Sequence, residues 1–247
     1  MAIDLNKMKQ KLANVQGNGK GGKSDFWKIT EGEHTVRILP SEDGDPFREF
    51  WFHYNVGNHN GFLCPKRNFG DNCPVCDFAT KLFNEGETES VNMAKKLFAR
   101  QRFFSPVVVR GEEKEGVRVW GYSKTVYQEL LGLVLNPEYG DITDPDEGID
   151  LVLKYAKDPG QMYPKTSVLP RRRSSKLCDD DTGECEELLA TIPDLDGLFE
   201  RKETSVVQGM LDEAMLSDMD AESNSSETQK YAAPSNDVEA ALKELAG

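Results

Sequence analysis

The sequence has only three histidines and five cysteines among its 247 residues, and it lacks any long apolar run. No stretch approaches the roughly 20 apolar residues that span a bilayer, so a membrane protein is not expected. The first seven residues also lack the apolar stretch of a secretory signal. Because the cysteines have metal-type spacing and no such signal is present, we expect a reducing, cytoplasmic environment.

Motifs of common catalytic centres are missing as well. The sequence contains neither a P-loop nor a Gly-x-Ser-x-Gly elbow. The His-x-Glu element of zinc deaminases is absent upstream of the Cys73–Cys76 pair. Once one histidine is assigned to a metal, few side chains remain for acid–base chemistry. The sequence therefore predicts a binding protein and not an enzyme.

The formal net charge of −13 argues at first against a polyanion ligand, but the charges are unevenly distributed. Residues 1–23 carry five lysines against one aspartate, and residues 93–110 and 165–176 each carry five cations and no acid. Residues 212–247 carry nine acids against two lysines. Basic blocks followed by an acidic tail are typical of a protein that binds a polyanion and whose own tail resembles that polyanion in charge.

Three cysteines and a histidine form the most informative cluster of the chain. Cys73 and Cys76 have the Cys-x-x-Cys spacing of a metal knuckle, and Cys64 precedes them. The spacing alone also suits free or redox-active thiols, but those would not require Cys64 or a nearby histidine. His53 is favoured over His59 as the fourth ligand, because a strand holds a ring more rigidly than a Gly/Asn-rich turn does.

Four such ligands fill the shell of one Zn²⁺ ion and leave no position for water, so we predict a structural zinc. The two remaining cysteines, Cys178 and Cys185, flank an acidic, polar loop. They are predicted not to be metal ligands.

Alternating apolar residues predict a mainly β fold with α-helices. Proline at position 106 further suggests that its strand lies at a sheet edge. The pattern suits an OB-fold, a five-stranded Greek-key barrel, with an inserted zinc subdomain and peripheral helices. The predicted strands span residues 33–40, 47–54, 103–109, 117–122 and 149–155, and the predicted helices span 77–83, 125–134 and 206–215.

The two ends of the chain differ from this core. Residues 3–15 have the periodicity of a short amphipathic helix, and a glycine-rich linker follows. Residues 217–237 are acidic and poor in apolar residues, which predicts disorder. Residues 238–245 form a short amphipathic segment suited to docking in a partner groove.

Single-stranded nucleic acid is held by cations that follow its phosphates and by aromatic rings that stack on its bases. Both side-chain types recur together in this sequence, and Tyr155 lies beside Lys154 and Lys157. The predicted cations are Lys66, Arg67, Lys95, Lys96, Arg100, Arg102, Lys124, Arg171, Arg172 and Arg173. The predicted stacking residues are Phe69, Phe103, Phe104, Trp120, Tyr122 and Tyr163.

These motifs resemble the single-stranded DNA-binding proteins of T-even-type bacteriophages, the helix-destabilising proteins of the phage replisome. Val36–Ser41 resembles a family strand whose arginine, here Arg37, faces DNA. A histidine seven positions after Pro46 matches the family's zinc histidine, which selects His53. Cys64, Cys73 and Cys76 fall on its zinc cysteines, and Phe103, Phe104 and Trp120 fall on its cleft aromatics.

The resemblance implies three parts. Residues 1–23 would be a basic arm for cooperative self-association, 24–211 an OB-fold core with a zinc subdomain at about 50–85, and 212–247 an acidic tail for partner recruitment. The arm departs from the family, because its lysines are spaced apart and a basic run followed by hydroxyls occurs only at residues 171–175.

The implied function is cooperative coating of single-stranded DNA without sequence specificity, during phage replication, recombination and repair. The implied partners are further copies of the chain and, through the tail, the polymerase, helicase loader and recombinase mediator. The implied location is the cytoplasm of the infected bacterial host. Two alternatives remain at this point, a zinc-ribbon adaptor that binds only proteins and a nucleic-acid-modifying enzyme.

Overall fold

The computed structural model describes residues 26–178 and 182–230. The predicted arm and the segment 238–245 lie outside these residues. The chain divides into two compact units. We call the first, which runs up to Glu49 and resumes over Arg102–Leu198, the sheet unit. The second comprises Phe50–Gln101 and the chain from Phe199 onward, and we call it the helical unit.

The described residues form eight strands and six α-helices. The strands are β1 (Phe26–Trp27), β2 (Gly32–Ile38), β3 (Arg48–His53), β4 (Phe62–Leu63), β5 (Arg100–Val109), β6 (Arg118–Tyr122), β7 (Leu151–Ala156) and β8 (Lys165–Pro170). The helices are α1 (Pro65–Phe69), α2 (Pro74–Glu85), α3 (Thr88–Leu97), α4 (Lys124–Val134), α5 (Thr182–Ala190) and α6 (Thr204–Lys230). No described helix combines the length and apolar character needed to cross a membrane.

The sheet unit is built on strands in the order β1-β6-β5-β2-β7-β8. β1 runs parallel to β6, and the other neighbours on this path are antiparallel. Alternation in β2 buries Val36 and Ile38 on one face, where they join a core with Phe103 and Trp120. Helix α4 adds Leu130 to the same core. A mainly β fold with helices is therefore confirmed, and the five-stranded barrel remains a prediction from the resemblance.

The prediction that Pro106 marks an edge strand is wrong, because β5 lies between β6 and β2. The Pro106 carbonyl accepts a hydrogen bond from Leu39 N at 3.0 Å, one residue beyond the end of β2. An N–H group at position 106 would point to the same side as the Pro106 carbonyl, toward the end of the β2–β5 pairing. Pro40 stops the chain of β2 just beyond this point. A central strand tolerates the proline here because almost no pairing is lost.

The helical unit begins with the β3–β4 hairpin, in which His53 pairs with Phe62. Its core joins Phe62 to Val75 on α2, Leu97 on α3 and Val207 on α6. Helix α2 is longer than the predicted 77–83, because Cys73 is its N-cap and Pro74 fits its first turn.

Several further elements differ from the predicted ones, and α1, α3, β1 and β4 were not predicted. Helix α6 includes the predicted stretch 206–215 and continues to Lys230, through part of the segment expected to be disordered. Eight of the fourteen residues 217–230 are Ser, Asp, Asn or Thr, which have low helix propensity, so the composition did not indicate this extension. Strand β8 was not predicted, since Lys165–Pro170 is too polar to show a strand pattern and is fixed by pairing with β7.

Candidate metal centre and nucleic-acid-binding surface

Four side chains converge in the helical unit where the hairpin meets α1 and α2. His53 ends β3, Cys64 directly follows β4, and Cys73 and Cys76 lie at the start of α2. One ligand atom from each side chain lies within 4.8 Å of all the others. His53 Nε2 is 3.3 Å from Cys73 Sγ and 3.5 Å from Cys76 Sγ, and the Sγ atoms of Cys64 and Cys76 are 3.5 Å apart.

A hydrogen bond outside the cluster fixes the orientation of the imidazole ring. His53 Nδ1 lies 2.8 Å from the carbonyl oxygen of Leu97. A carbonyl can only accept, so Nδ1 carries the proton and the Nε2 lone pair faces the three sulfur atoms. This pairing of one ring nitrogen with a backbone carbonyl is typical of metal-binding histidines.

The local backbone favours thiolate at Cys64. Hydrogen bonds from the Cys73 and Cys76 thiols lower the pKa of Cys64, and backbone N–H groups of Arg67 and Lys66 add to this effect. The Arg67 amide lies 3.4 Å from Cys64 Sγ, at the N-terminus of α1. Three thiols and one imidazole in this arrangement form a soft donor set that can hold one metal ion.

Of the two candidate histidines, the structure places His53 in the cluster. His59 lies in the loop after β3, and its Nε2 is 3.2 Å from Glu213 Oε2 on α6. It does not belong to the cluster. The structure also joins Cys178 and Cys185 in a disulfide with Cα atoms 5.6 Å apart, so neither is a metal ligand. This bond disagrees with the reducing environment that the cysteine spacing led us to expect.

Four of the predicted stacking residues are buried in the sheet unit. Phe103 and Trp120 are each only 1% exposed, and Phe104 and Tyr122 are also buried. Phe103 stacks on Tyr127 with ring centroids 3.9 Å apart. Phe103, Trp120 and Tyr122 belong to the core, and the burial of all four side chains leaves little of each ring for a base to stack on. The error arose because aromatic residues in strands suit both roles, and the residues that cover them are distant in sequence.

Arg37 is also buried, with no exposed surface. Its guanidinium donates to Asp150 Oδ1 at 3.0 Å and to the backbone carbonyls of Asp144, Gly148 and Ser175. The prediction that Arg37 contacts phosphate therefore disagrees with its place in the structure. Alternation correctly places it opposite Val36 and Ile38, but loops from residues 144–150 and 175 cover that face.

A groove of about 570 Å³ opens on the sheet unit, where the ends of β6 and β7 and the start of β8 supply lining residues. Arg102, Lys154 and Lys165 supply three cations to its lining, and half-buried Tyr155 supplies an aromatic ring. Of the predicted contacts, Arg102, Trp120 and Tyr122 line it. The buried state of the last two shows that they form the floor of the groove.

Two carboxylates also line this groove, those of Glu129 and Asp158. Glu129 is already engaged, because its Oε2 accepts a hydrogen bond from Val168 N at 3.1 Å. Lys154 and Tyr155 are neighbours in the sequence but were not among the predicted contacts. Their joint presence on β7, beside Lys165 on the paired strand β8, was the signal that could have placed them there.

The other predicted contacts of the sheet unit lie on its surface. Lys124 is exposed, Tyr163 is 73% exposed in the β7–β8 loop, and Arg171, Arg172 and Arg173 are exposed directly after β8.

In the helical unit, Lys66 and Arg67 line a small pocket of about 210 Å³ with Phe98, beside Cys76. The Arg67 guanidinium lies 5.2 Å from the centre of the Trp51 ring. Phe69 is 39% exposed. Lys95, Lys96 and Arg100 are exposed at and beyond the end of α3.

Residues 30–213 match the family model described as gp32 DNA binding protein like. No curated protein matches the chain. The matched range is most of the chain and includes the Cys/His cluster, the groove and the basic segment after β8. This chain therefore belongs to the gp32 DNA-binding-protein-like family.

Proposed function

We propose that this protein binds single-stranded DNA, and that the groove of the sheet unit is its principal binding surface. The observation that carries the proposal is the grouping of Arg102, Lys154 and Lys165 around Tyr155 in one open groove. Cations along a groove attract phosphates without regard to sequence, and an aromatic ring can stack on any base. The family match supports DNA as the polyanion.

Other exposed cations of the sheet unit lie outside the lining of the groove. Arg171–Arg173 and Lys124 on the sheet unit present charges to solvent that suit phosphates. On the helical unit, Lys66 and Arg67 line a pocket with Phe98 and form a separate pair of cations beside an aromatic ring. Arg37, Phe103 and Trp120 are left out of the proposed contacts because their side chains are buried.

We further propose that the Cys/His cluster holds one structural Zn²⁺. His53, Cys64, Cys73 and Cys76 would supply all four ligands, and the ion would brace the hairpin against α1 and α2. Three of these residues are completely buried. A closed shell of this kind suits structural stabilisation and leaves no open position for a catalytic water.

The proposed biological role is to coat unpaired DNA cooperatively during phage replication, recombination and repair, in the cytoplasm of an infected bacterium. The charge pattern supports it, with a basic arm at residues 1–23 for self-association and an acidic tail at residues 212–247 for replisome partners. The family match supports a binding role without catalysis.

The binding surface is tested by removing two groove cations. The variant Lys154→Gln/Lys165→Gln removes both lysines. Each lysine that contacts a phosphate should account for about 0.7 of the slope of log K against log salt, so its loss should weaken binding about eightfold near 50 mM salt. Lys114→Gln is the matched control, because Lys114 is exposed and does not line the groove. Fluorescence anisotropy with a labelled oligothymidine measures both quantities. Equal affinity and slope in the wild type and the double variant would contradict the proposed surface.

A further inference from the structure

Arg37 and Arg110 share one buried carboxylate in the sheet unit. Arg37 Nε lies 3.0 Å from Asp150 Oδ1, and Arg110 Nε lies 3.1 Å from Asp150 Oδ2. Asp150 is 5% exposed. Two guanidinium groups around one carboxylate leave an excess positive charge, which backbone carbonyls must help to solvate.

Those carbonyls come largely from one irregular segment, residues 171–177, which follows β8. Arg37 Nη2 donates to Ser175 O at 2.7 Å and to Ser175 Oγ at 2.8 Å. Arg110 donates to Lys176 O at 2.8 Å and to Leu177 O at 2.6 Å. The two arginines thus bind three consecutive carbonyls that no regular structure would satisfy.

Backbone hydrogen bonds fix the same segment to the loop that carries Asp150. Arg171 N donates to Asp150 O at 2.9 Å, and Ser175 N donates to Gly148 O at 3.0 Å. The three exposed arginines are residues 171–173, so they run from the first attachment, at Arg171, toward the second, at Ser175. The network therefore holds both ends of the basic run while the charges face solvent.

The site requires arginine at position 37 and glycine at position 148. A Cβ atom on Gly148 would lie 2.8 Å from Arg37 Nη1 and 2.9 Å from Ile142 O. The guanidinium packs directly on this bare backbone. Lysine would keep the charge, but its single ammonium cannot reach the five oxygen atoms that Arg37 contacts.

We propose that Arg37, with Asp150 and Arg110, is a positioning residue that presents Arg171–Arg173 to the DNA backbone. Arg37 acts through these three side chains and does not touch DNA. The inference rests on the proposed function for its ligand, but the fixed position of the segment can be measured without DNA.

The first test is a double-mutant cycle on the full chain with labelled oligothymidine. In the wild-type background, Arg37→Lys should weaken binding about tenfold near 50 mM salt and lower the salt slope by roughly one, as expected for one or two lost phosphate contacts. In the Arg171→Gln/Arg172→Gln/Arg173→Gln background, Arg37→Lys should change affinity less than about twofold, because the contacts it positions are already absent. Circular dichroism confirms that each variant is folded at the assay temperature.

An Arg37→Lys effect of equal size in both backgrounds, or no effect in either, would overturn the proposal. If Arg37→Lys does not fold, Arg110→Lys replaces it, because its side chain is 21% exposed and makes the same kind of contact with residues 176 and 177.

The second test uses limited trypsin digestion without DNA. Cleavage after Arg171–Arg173 should be about tenfold faster in Arg37→Lys, because a released segment fits a protease better than a held one. Cleavage after Lys114, an exposed site distant in sequence, is the control and should be unchanged. Unchanged cleavage at 171–173 would refute the positioning role, whereas absence of DNA binding by the wild type would refute the proposed function alone.

Discussion

Replacing His53 tests the proposed zinc site most sharply, because the chain supplies its own control. His53→Ala removes Nε2 from a cluster in which it lies 3.3–3.5 Å from two sulfur atoms. His59→Ala removes the other candidate histidine, which is partly exposed and paired with Glu213. We expect the first variant to lose zinc and the second to keep one zinc per chain.

The magnitude follows from binding linkage. Free zinc at a thousand times its dissociation constant would stabilise the folded chain by about 4 kcal/mol. For a chain of this size, that corresponds to a fall of roughly 8–16 °C in melting temperature on complete chelation. The ligands lie inside the apolar core that joins Phe62, Val75 and Leu97, so loss of the ion should loosen that core directly.

His53→Ala also creates a cavity and leaves the Leu97 carbonyl without its partner, so a lower melting temperature alone would not identify zinc. The decisive quantity is the shift caused by a chelator. Calorimetry with and without chelator should give a large shift for the wild type and His59→Ala, and almost none for His53→Ala. One zinc per chain in His53→Ala, or a wild-type melt that does not respond to chelation, would refute the reasoning.

Three further predictions concern other parts of the chain. Burial raises the pKa of Tyr122, so its neutral phenol stabilises the fold fully below about pH 10 and loses that effect as pH rises further. Tyr122→Phe removes this titration and also the hydrogen bond to Ser105, so it should lower stability at neutral pH and reduce the loss of stability above about pH 10. Denaturant unfolding followed by circular dichroism at each pH measures both, and an unchanged loss in the alkaline range would contradict this. The Cys178–Cys185 disulfide closes a short loop and should stabilise the folded chain by about 2–3 kcal/mol. A dithiol reductant should therefore lower the melting temperature of the wild type and leave that of a Cys178→Ser/Cys185→Ser variant unchanged. Deleting residues 217–247 should preserve or strengthen DNA binding if the acidic tail competes with DNA for the groove cations, as we propose; weaker binding by anisotropy would disprove competition.

The metal cluster was predictable because its signal is local. Cys73 and Cys76 share one helix start, and Cys64 lies only nine positions upstream of Cys73. The rigid mount that favoured His53 is present as the end of β3. What the sequence could not show is the hydrogen bond to Leu97, 44 positions away, which fixes the ring.

The DNA contacts were less predictable, because burial depends on distant parts of the chain. Alternation places Arg37 on the face opposite Val36, which an isolated strand would expose. Asp150 and Ser175, 113 and 138 positions away, cover it. Trp120 is covered in the same manner by the core around it. A period-two pattern identifies the two faces of a strand but does not tell which distant segment packs on each.

Preferential binding to unpaired DNA can be measured in one titration. Fluorescence anisotropy would compare a labelled single-stranded oligonucleotide with its duplex, using the full chain at low and high salt. The account predicts tight binding to the single strand that weakens steeply with salt, and much weaker binding to the duplex. Equal affinity for both forms, or no binding to the single strand at low salt, would contradict it.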